Sequence, residues 1–140
     1  MMAAMLYPDR RVMAVCGDGG FMMNSQEIET AVRLKLNLVV LILDDSAYGM
    51  IRWKQAVDHF PDFGLTFGNP DFTKYAESYG AKGARVEAMG ELIPKLEAAF
   101  ASGGVHLISV PIDYSENMRV LVDELQSRVQ NAGNQVGSLN

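Results

Sequence analysis

Apolar positions along this chain fall into two kinds of run, and their alternation predicts the architecture. Leu38–Leu43 (LVVLIL) is six aliphatic residues without a polar position. A strand buried on one face alternates apolar with polar, so an unbroken run predicts a strand covered on both faces, as in a parallel sheet. Arg11–Cys16 (RVMAVC) and His106–Val110 (HLISV) are further apolar runs, stopped by Gly17 and Pro111, and a short strand is expected near Ala84–Val86. Between these runs the spacing becomes helical. Ile28, Ala31, Val32 and Leu34 fall near one face at i, i+3, i+4 spacing, with Asn24 as expected N-cap and Glu27 completing a capping box. Helices are also expected from about Asp71 to Tyr79, stopped by Gly80, and from about Glu91 to Phe100. Residues 3–6 read as the last turn of a helix that stops before Pro8, because the residue preceding proline avoids the α region.

Strands alternating with helices predict an α/β fold, an open, doubly wound, mostly parallel sheet with helices on both faces. The chain reads as starting at the end of a helix, so the fold is expected to be incomplete at its N-terminus. Asp45 to about Pro70, rich in aromatic residues, glycine and proline, is expected to be irregular, and an irregular stretch of that length is usually functional. The last dozen residues, VQNAGNQVGSLN, are polar and uncharged and are expected to fray. The division is therefore a domain over 1–127 and a polar tail over 128–140.

Composition narrows the field without naming a function. The 140 residues carry 17 acidic and 12 basic side chains, a net charge of −5, which lacks the basic excess of a nucleic-acid footprint. No aliphatic run approaches a membrane span, and the start has no apolar segment behind a basic head. Cys16 is the single cysteine, so no internal disulfide exists and a cytoplasmic location is expected. The nine methionines are expected to fill the core.

Open α/β sheets bind ligands beyond the carboxyl ends of their strands, and two predicted strand ends carry unusual chemistry. The first ends in Gly17-Asp18-Gly19-Gly20. Glycines let a backbone approach a ligand and turn its N–H groups toward it, and a helix follows soon after, which together suit a phosphate. The second ends in Asp44-Asp45-Ser46, acids at the rim of a buried strand where charge is costly without compensation. Positions 20 to 43 separate Gly19 from Asp44, 24 residues, enough for one helix and one strand returning parallel to the first. Asp18 and the Asp44/Asp45 pair are thereby expected at neighbouring strand ends. Two carboxylates beside a glycine cradle suit Mg²⁺ bound to a diphosphate, since Mg²⁺ takes six oxygens, usually one or two from side-chain carboxylates. Side chains alternate along an extended segment, so Asp44 and Asp45 do not both face the ion; spacing does not choose between them.

The stretch GDGGFMMNSQEIETAVRLKLNLVVLILDDSAYGM resembles the thiamine-diphosphate motif, Gly-Asp-Gly followed after about two dozen residues by a closing Asn-Asn or Asn-Asp pair. More specifically the chain is similar to the diphosphate-binding domain of acetolactate synthase (acetohydroxyacid synthase) large subunits. The likeness continues through NPDFTKYAESYGAKGARVE and VPIDYSENMRVL, from about Ala3 to Leu125. The resemblance implies Mg²⁺ held by the side chains of Asp18 and Asp45 and the carbonyl of Ala47. It implies a cofactor site formed by Gly17, Asp18, Gly19, Gly20, Phe21, Asp45, Ala47, Tyr48, Gly49 and Met50, with backbone N–H groups of Gly19, Gly20, Gly49 and Met50 on the diphosphate. Asp44 stands where the family carries asparagine, and is expected to turn aside from the metal.

The same resemblance implies decarboxylation of a 2-keto acid such as pyruvate and carboligation to a second keto acid, in branched-chain amino acid biosynthesis. It places no catalytic side chain in this chain. The glutamate that activates the cofactor comes from a pyrimidine-binding domain of the same or a neighbouring subunit, so a homo-oligomer is implied. The apolar residue that bends the cofactor lies further upstream than the seventeen residues before Asp18. Flavin in the full enzyme is left open. Alternatives are a sister decarboxylase or carboligase, and a non-catalytic cofactor-binding or assembly fragment. LVVLILDDS also resembles the acidic pair of a signalling receiver domain, but the later strands end in Arg85-Val86-Glu87 and Val110-Pro111, without the phosphoacceptor aspartate a receiver needs. Trp53 and Lys54 are candidates to border a substrate pocket, and His59–Phe67 to close over it. Cys16 reads as an inert buried thiol; His59 and His106 lack partners at metal spacing, and His106 reads as structural.

Overall fold

The structure, a computed structural model, describes residues 1–116 together with Arg119 and Val120. The expected boundary at 127/128 and the polar tail lie outside the described residues. The chain divides into two compact units, one of Met1–Ala47 with Thr66–Ile112, the other of Tyr48–Leu65 with the chain from Asp113 onward.

The first unit is a four-stranded parallel sheet of β1 (Met13–Gly17), β2 (Leu38–Asp44), β3 (Lys82–Arg85) and β4 (Val105–Pro111) in the order β1-β2-β4-β3. It also holds the helices α1 (Met2–Leu6), α2 (Asp18–Met23), α3 (Glu27–Arg33), α5 (Phe72–Ser78) and α6 (Leu92–Ser102). The second unit contains α4 (Gly49–Val57). The unbroken LVVLIL run does what its pattern predicts. Leu38, Val40 and Ile42 pack with Phe21, Ile28 and Phe72 on one face, while Val39 and Leu41 pack with Ala99, Leu96 and Phe100 on the other. Both faces are thus sealed, and the polar chemistry is left to the strand ends. Among the described residues no helix is long and apolar enough to cross a membrane.

Several local expectations are corrected. Asn24 does not cap the helix carrying Ile28; Gln26 occupies that position without a side-chain cap bond. The chain enters α2 at Asp18, and Asn24 instead closes α2, its N–H donating to the Phe21 carbonyl. A capping-box pattern is local, and here the tight strand-to-helix turn claims its first residue. Leu34 lies beyond the end of α3 and is exposed. The stretch from Asp45 to Pro70 is not wholly irregular, since α4 occupies nine of its residues. β3 starts two residues earlier than expected and ends one earlier, over Lys82–Arg85. The methionines are not core filler: all eight described ones, Met22 and Met23 included, are exposed. They lie on edge elements and helix ends, while branched aliphatics and small residues fill the space around β2 and β4.

Other expectations hold. Asp71 caps α5, its carboxylate accepting from the N–H groups of Thr73 and Lys74 at 3.0 and 3.2 Å, and those backbone bonds, Lys74 first, hold its carboxyl below the ordinary range. Gly80, at φ +79, ends the same helix in the left-handed region that favours glycine. Cys16, expected to be buried, is only half-buried, its thiol 3.8 Å from the Leu41 carbonyl and pushed up by burial and by the charge of Asp18. His106 is structural, bonded through Nε2 to Ser102 Oγ at 2.9 Å and the Gly103 carbonyl at 3.0 Å.

α5 lies against β3 so closely that a Cβ on Gly83 would stand 2.5 Å from the Thr73 Cα. Backbone cannot yield as a flexible side chain can. Gly83→Ala is expected to destabilise the fold by roughly 1–3 kcal/mol, read as a fall in thermal midpoint, whereas Gly17→Ala, whose Cβ would meet nothing within 4 Å, leaves it nearly unchanged.

Candidate functional site

Register brings the two acidic strand ends together. Gly17 pairs with Leu43 across β1 and β2, so Asp18 and Asp44 follow at adjacent carboxyl ends, as the spacing predicts. Asp18 is 1% exposed, and a charge so buried must be met by donors. Its Oδ1 accepts from the Gly19 N–H at 2.8 Å, and its Oδ2 from the Ser46 N–H at 2.7 Å and from Asn69 Nδ2. Asp45 stands within hydrogen-bond reach of Asp18 and accepts from the Ala47 N–H; burial first, then the charge of Asp18, push its carboxyl above the ordinary range.

Asp44 has partners of its own. Its Oδ1 accepts from Asn69 Nδ2 at 2.8 Å, with Ser46 Oγ at 3.4 Å, and its Oδ2 pairs with the Arg85 guanidinium at 3.3 Å. Arg85 also pairs with Glu87 at 3.4 Å. Ser46 carries this turn at φ +54, a left-handed conformation unusual for a residue with a side chain and frequent at functional sites. Its carbonyl accepts from the Phe67 N–H at 3.1 Å, and buried Ala47 bridges Thr66. An open cleft of about 630 Å³ lies beside Asp44, lined by Ser46, Asn69, Thr73, Arg85 and Ser109.

The glycines of the first strand end are not demanded by the fold. Neither Gly17 nor Gly20 has a positive φ, and a Cβ on either would meet nothing within 4 Å. The ring of Phe21 lies in the core, edge-on to Phe72 with centroids 5.7 Å apart. Tyr48, Gly49 and Met50 belong to the second unit. There Gly49 and Met50 open α4, Tyr48 is its N-cap, and the Tyr48 N–H donates to the Leu65 carbonyl at 2.9 Å. Trp53 and Lys54 lie on the same helix, Lys54 paired with Asp58 at 3.1 Å.

Sequence reasoning missed Asn69 and Arg85. Asn69 is 51 residues from Asp18 and 25 from Asp44, so no local spacing joins them. The available signal was weak: an asparagine before proline, at the entrance to a capped helix.

Parallel strands whose carboxyl ends carry converging carboxylates and open glycines define a ligand-binding α/β domain. Residues 1–110 match the family described as thiamine pyrophosphate enzyme, C-terminal TPP binding domain, and the chain belongs to that family. It is 41% identical over 123 residues to an acetolactate synthase of Bacillus subtilis, covering 88% of this chain and 22% of that protein. A catabolic acetolactate synthase of Raoultella terrigena is 40% identical over 82% of this chain and 21% of its own length. Among solved structures, the thiamine diphosphate-dependent 4-hydroxybenzoylformate decarboxylase of Rhodococcus jostii superposes with a TM-score of 0.76 at 28% identity, over 81% of this chain and 22% of that one. The chain thus spans about a fifth of the length of these relatives. The receiver reading is closed by family membership.

The raised carboxyl of Asp45 has a consequence for the metal-free chain. A folded-state value above the ordinary 3.8 means the fold favours the protonated form, so this contribution is present below pH 3.8 and lost as pH rises through the folded value. Asp45→Asn is therefore expected to raise the thermal midpoint of the metal-free chain at pH 7. The gain should vanish below pH 3.8 in a pH series of unfolding curves.

Proposed function

We propose that this chain is the thiamine diphosphate- and Mg²⁺-binding part of an acetolactate synthase-type transferase. The observation that carries the reading is the convergence of Asp18 and Asp45 at one sheet edge, beside glycines whose open side the protein leaves unfilled. The donor set suits a hard cation, because burial and the neighbouring Asp18 charge raise the proton affinity of Asp45, and a divalent ion relieves such an arrangement. Asp18 and Asp45 would supply two side-chain oxygens and Ala47 its carbonyl. Mg²⁺ would take its remaining oxygens from the diphosphate and water.

The backbone would hold the diphosphate. α2 and α4 both begin without a side-chain cap bond, and first-turn N–H groups of a helix have no intrahelical acceptor. Gly20 in α2 would offer such a group, and the family resemblance assigns the same role to Gly49 and Met50 of the second unit. The Gly19 N–H is engaged by Asp18 Oδ1 and would join them on release. Gly17 and Gly20 leave room for the ligand to approach.

Thiamine diphosphate, when bound, supplies the chemistry that removes CO₂ from a 2-keto acid and joins the remaining fragment to a second one. This chain's residues anchor and orient that group, and no acid or base in them is assigned to the reaction. The activating glutamate is assigned to a pyrimidine-binding domain of the same or a neighbouring subunit in a homo-oligomer. Alone, the chain is expected to consume no pyruvate. The reading fits a cytoplasmic enzyme of branched-chain amino acid biosynthesis and leaves flavin open.

A second reading, a sister decarboxylase or carboligase, is favoured by the benzoylformate-type decarboxylases among the structural neighbours at 28% identity. The higher identity to acetolactate synthases ranks it second. A non-catalytic binding or assembly fragment remains the third.

Calorimetry with Mg²⁺ and thiamine diphosphate tests the central reading. Saturable binding is expected, and Asp18→Ala should weaken it by at least ~100-fold, beyond what loss of a mere supporting contact produces. Absence of binding to folded, assembled protein would overturn the reading.

A further inference from the structure

The rim of this site carries more negative charge than one divalent ion needs. Asp18, Asp44 and Asp45 all end or follow neighbouring strands, whereas Mg²⁺ commonly takes one or two carboxylates and completes its shell with other oxygens. We infer that Asn69 is a positioning residue that keeps Asp44 out of the metal set and so preserves the coordination positions a diphosphate would fill. This rests on the proposed thiamine diphosphate and Mg²⁺ reading.

The geometry is specific. The Asn69 amide nitrogen lies between two carboxylates, donating to Asp18 Oδ2 and to Asp44 Oδ1. Its orientation is set by chemistry, because the reverse would point a carbonyl oxygen at two anions. The other Asp44 oxygen is taken by Arg85 at 3.3 Å. Both oxygens of Asp44 are therefore committed, one to an amide and one to a cation. Asn69 Oδ1, by contrast, is buried with no partner among the described residues. A buried unsatisfied acceptor costs free energy, and the two N–H bonds to carboxylates are the interactions set against that cost.

Its placement is rigid as well. Pro70 restricts the backbone of the preceding residue to extended conformations. Asp71, next in line, is locked as the cap of α5. The amide is thus delivered to the strand ends from a fixed helix start.

Removing the amide would let two neighbouring carboxylates rearrange around a cation. Asp44 then adds an oxygen and a charge to the metal, which favours the bare ion and disfavours an anionic diphosphate. Structural damage would weaken both. The test uses the 140-residue chain and its Asn69→Ala, Asp44→Asn and Asn69→Ala/Asp44→Asn variants, with thermal unfolding to confirm each is folded. Mn²⁺ binding is read by electron paramagnetic resonance, and thiamine diphosphate binding at saturating Mn²⁺ by calorimetry.

Asn69→Ala is expected to bind Mn²⁺ alone as tightly as the parent or tighter, and thiamine diphosphate about 10-fold more weakly, the scale of a lost supporting contact at a metal. The double variant should recover diphosphate affinity, because a neutral residue at position 44 has no charge to add. Should Asn69→Ala fail to fold, Arg85→Gln releases the other oxygen of Asp44 and should show the same opposed changes, again cancelled by Asp44→Asn. Equal weakening of both ligands, or the same loss with and without Asp44→Asn, overturns the inference while leaving the cofactor reading in place. No Mn²⁺-dependent thiamine diphosphate binding by the parent chain sinks both.

Discussion

A carboxylate that is almost wholly buried, with its charge met by backbone and amide donors, is the constraint on which the rest of the site depends. Asp18 directly follows β1 and opens α2. Burying an ion there is tolerable only if N–H groups surround it, and those come from three separate places: the start of α2, the turn after β2 and Asn69 in the approach to α5. Each must arrive with correct geometry. Ser46 donates its N–H to Asp18 from a left-handed backbone conformation.

The sheet makes such convergence possible. Parallel strands end on the same edge, and two sealed faces leave that edge as the place for polar groups. β2 supplies both features at once. Its aliphatic residues divide between the two cores, and its carboxyl end carries Asp44 with Asp45 next in the chain. Hydrophobic burial on both faces holds the strand in register with β1, and that register sets Asp44 beside Asp18. Core packing and site chemistry are consequences of one seven-residue strand.

Charge is distributed unevenly among the three acids. Asp18 is satisfied by donors, Asp44 by an amide and a guanidinium, and Asp45 is left with Asp18 as a neighbour and a carboxyl raised for that reason as well as by burial. An arrangement with one poorly compensated carboxyl beside a well-compensated one is receptive to a cation. It agrees with membership of the thiamine pyrophosphate enzyme family without requiring every acid at the rim to be a ligand.

Much of this was legible in the sequence because it depended on local pattern. An unbroken aliphatic run announced a doubly covered strand, 24 residues announced a parallel return, and two acidic strand ends announced a site. Where local pattern had two physical solutions, it misled: Asn24 suits the start of a helix as well as the end of one, and methionine suits an edge as well as a core. The parts no pattern could reach are the long-range ones. Asn69 meets Asp18 and Asp44, and Arg85 meets Asp44, across tens of residues. Hydrophobic periodicity therefore determined the sheet and the pair of acidic ends by itself, since burial is read from residue type and spacing. Only the tertiary structure decided which acid faces Asp18 and which is held aside, because partners for a buried charge are chosen by proximity in space.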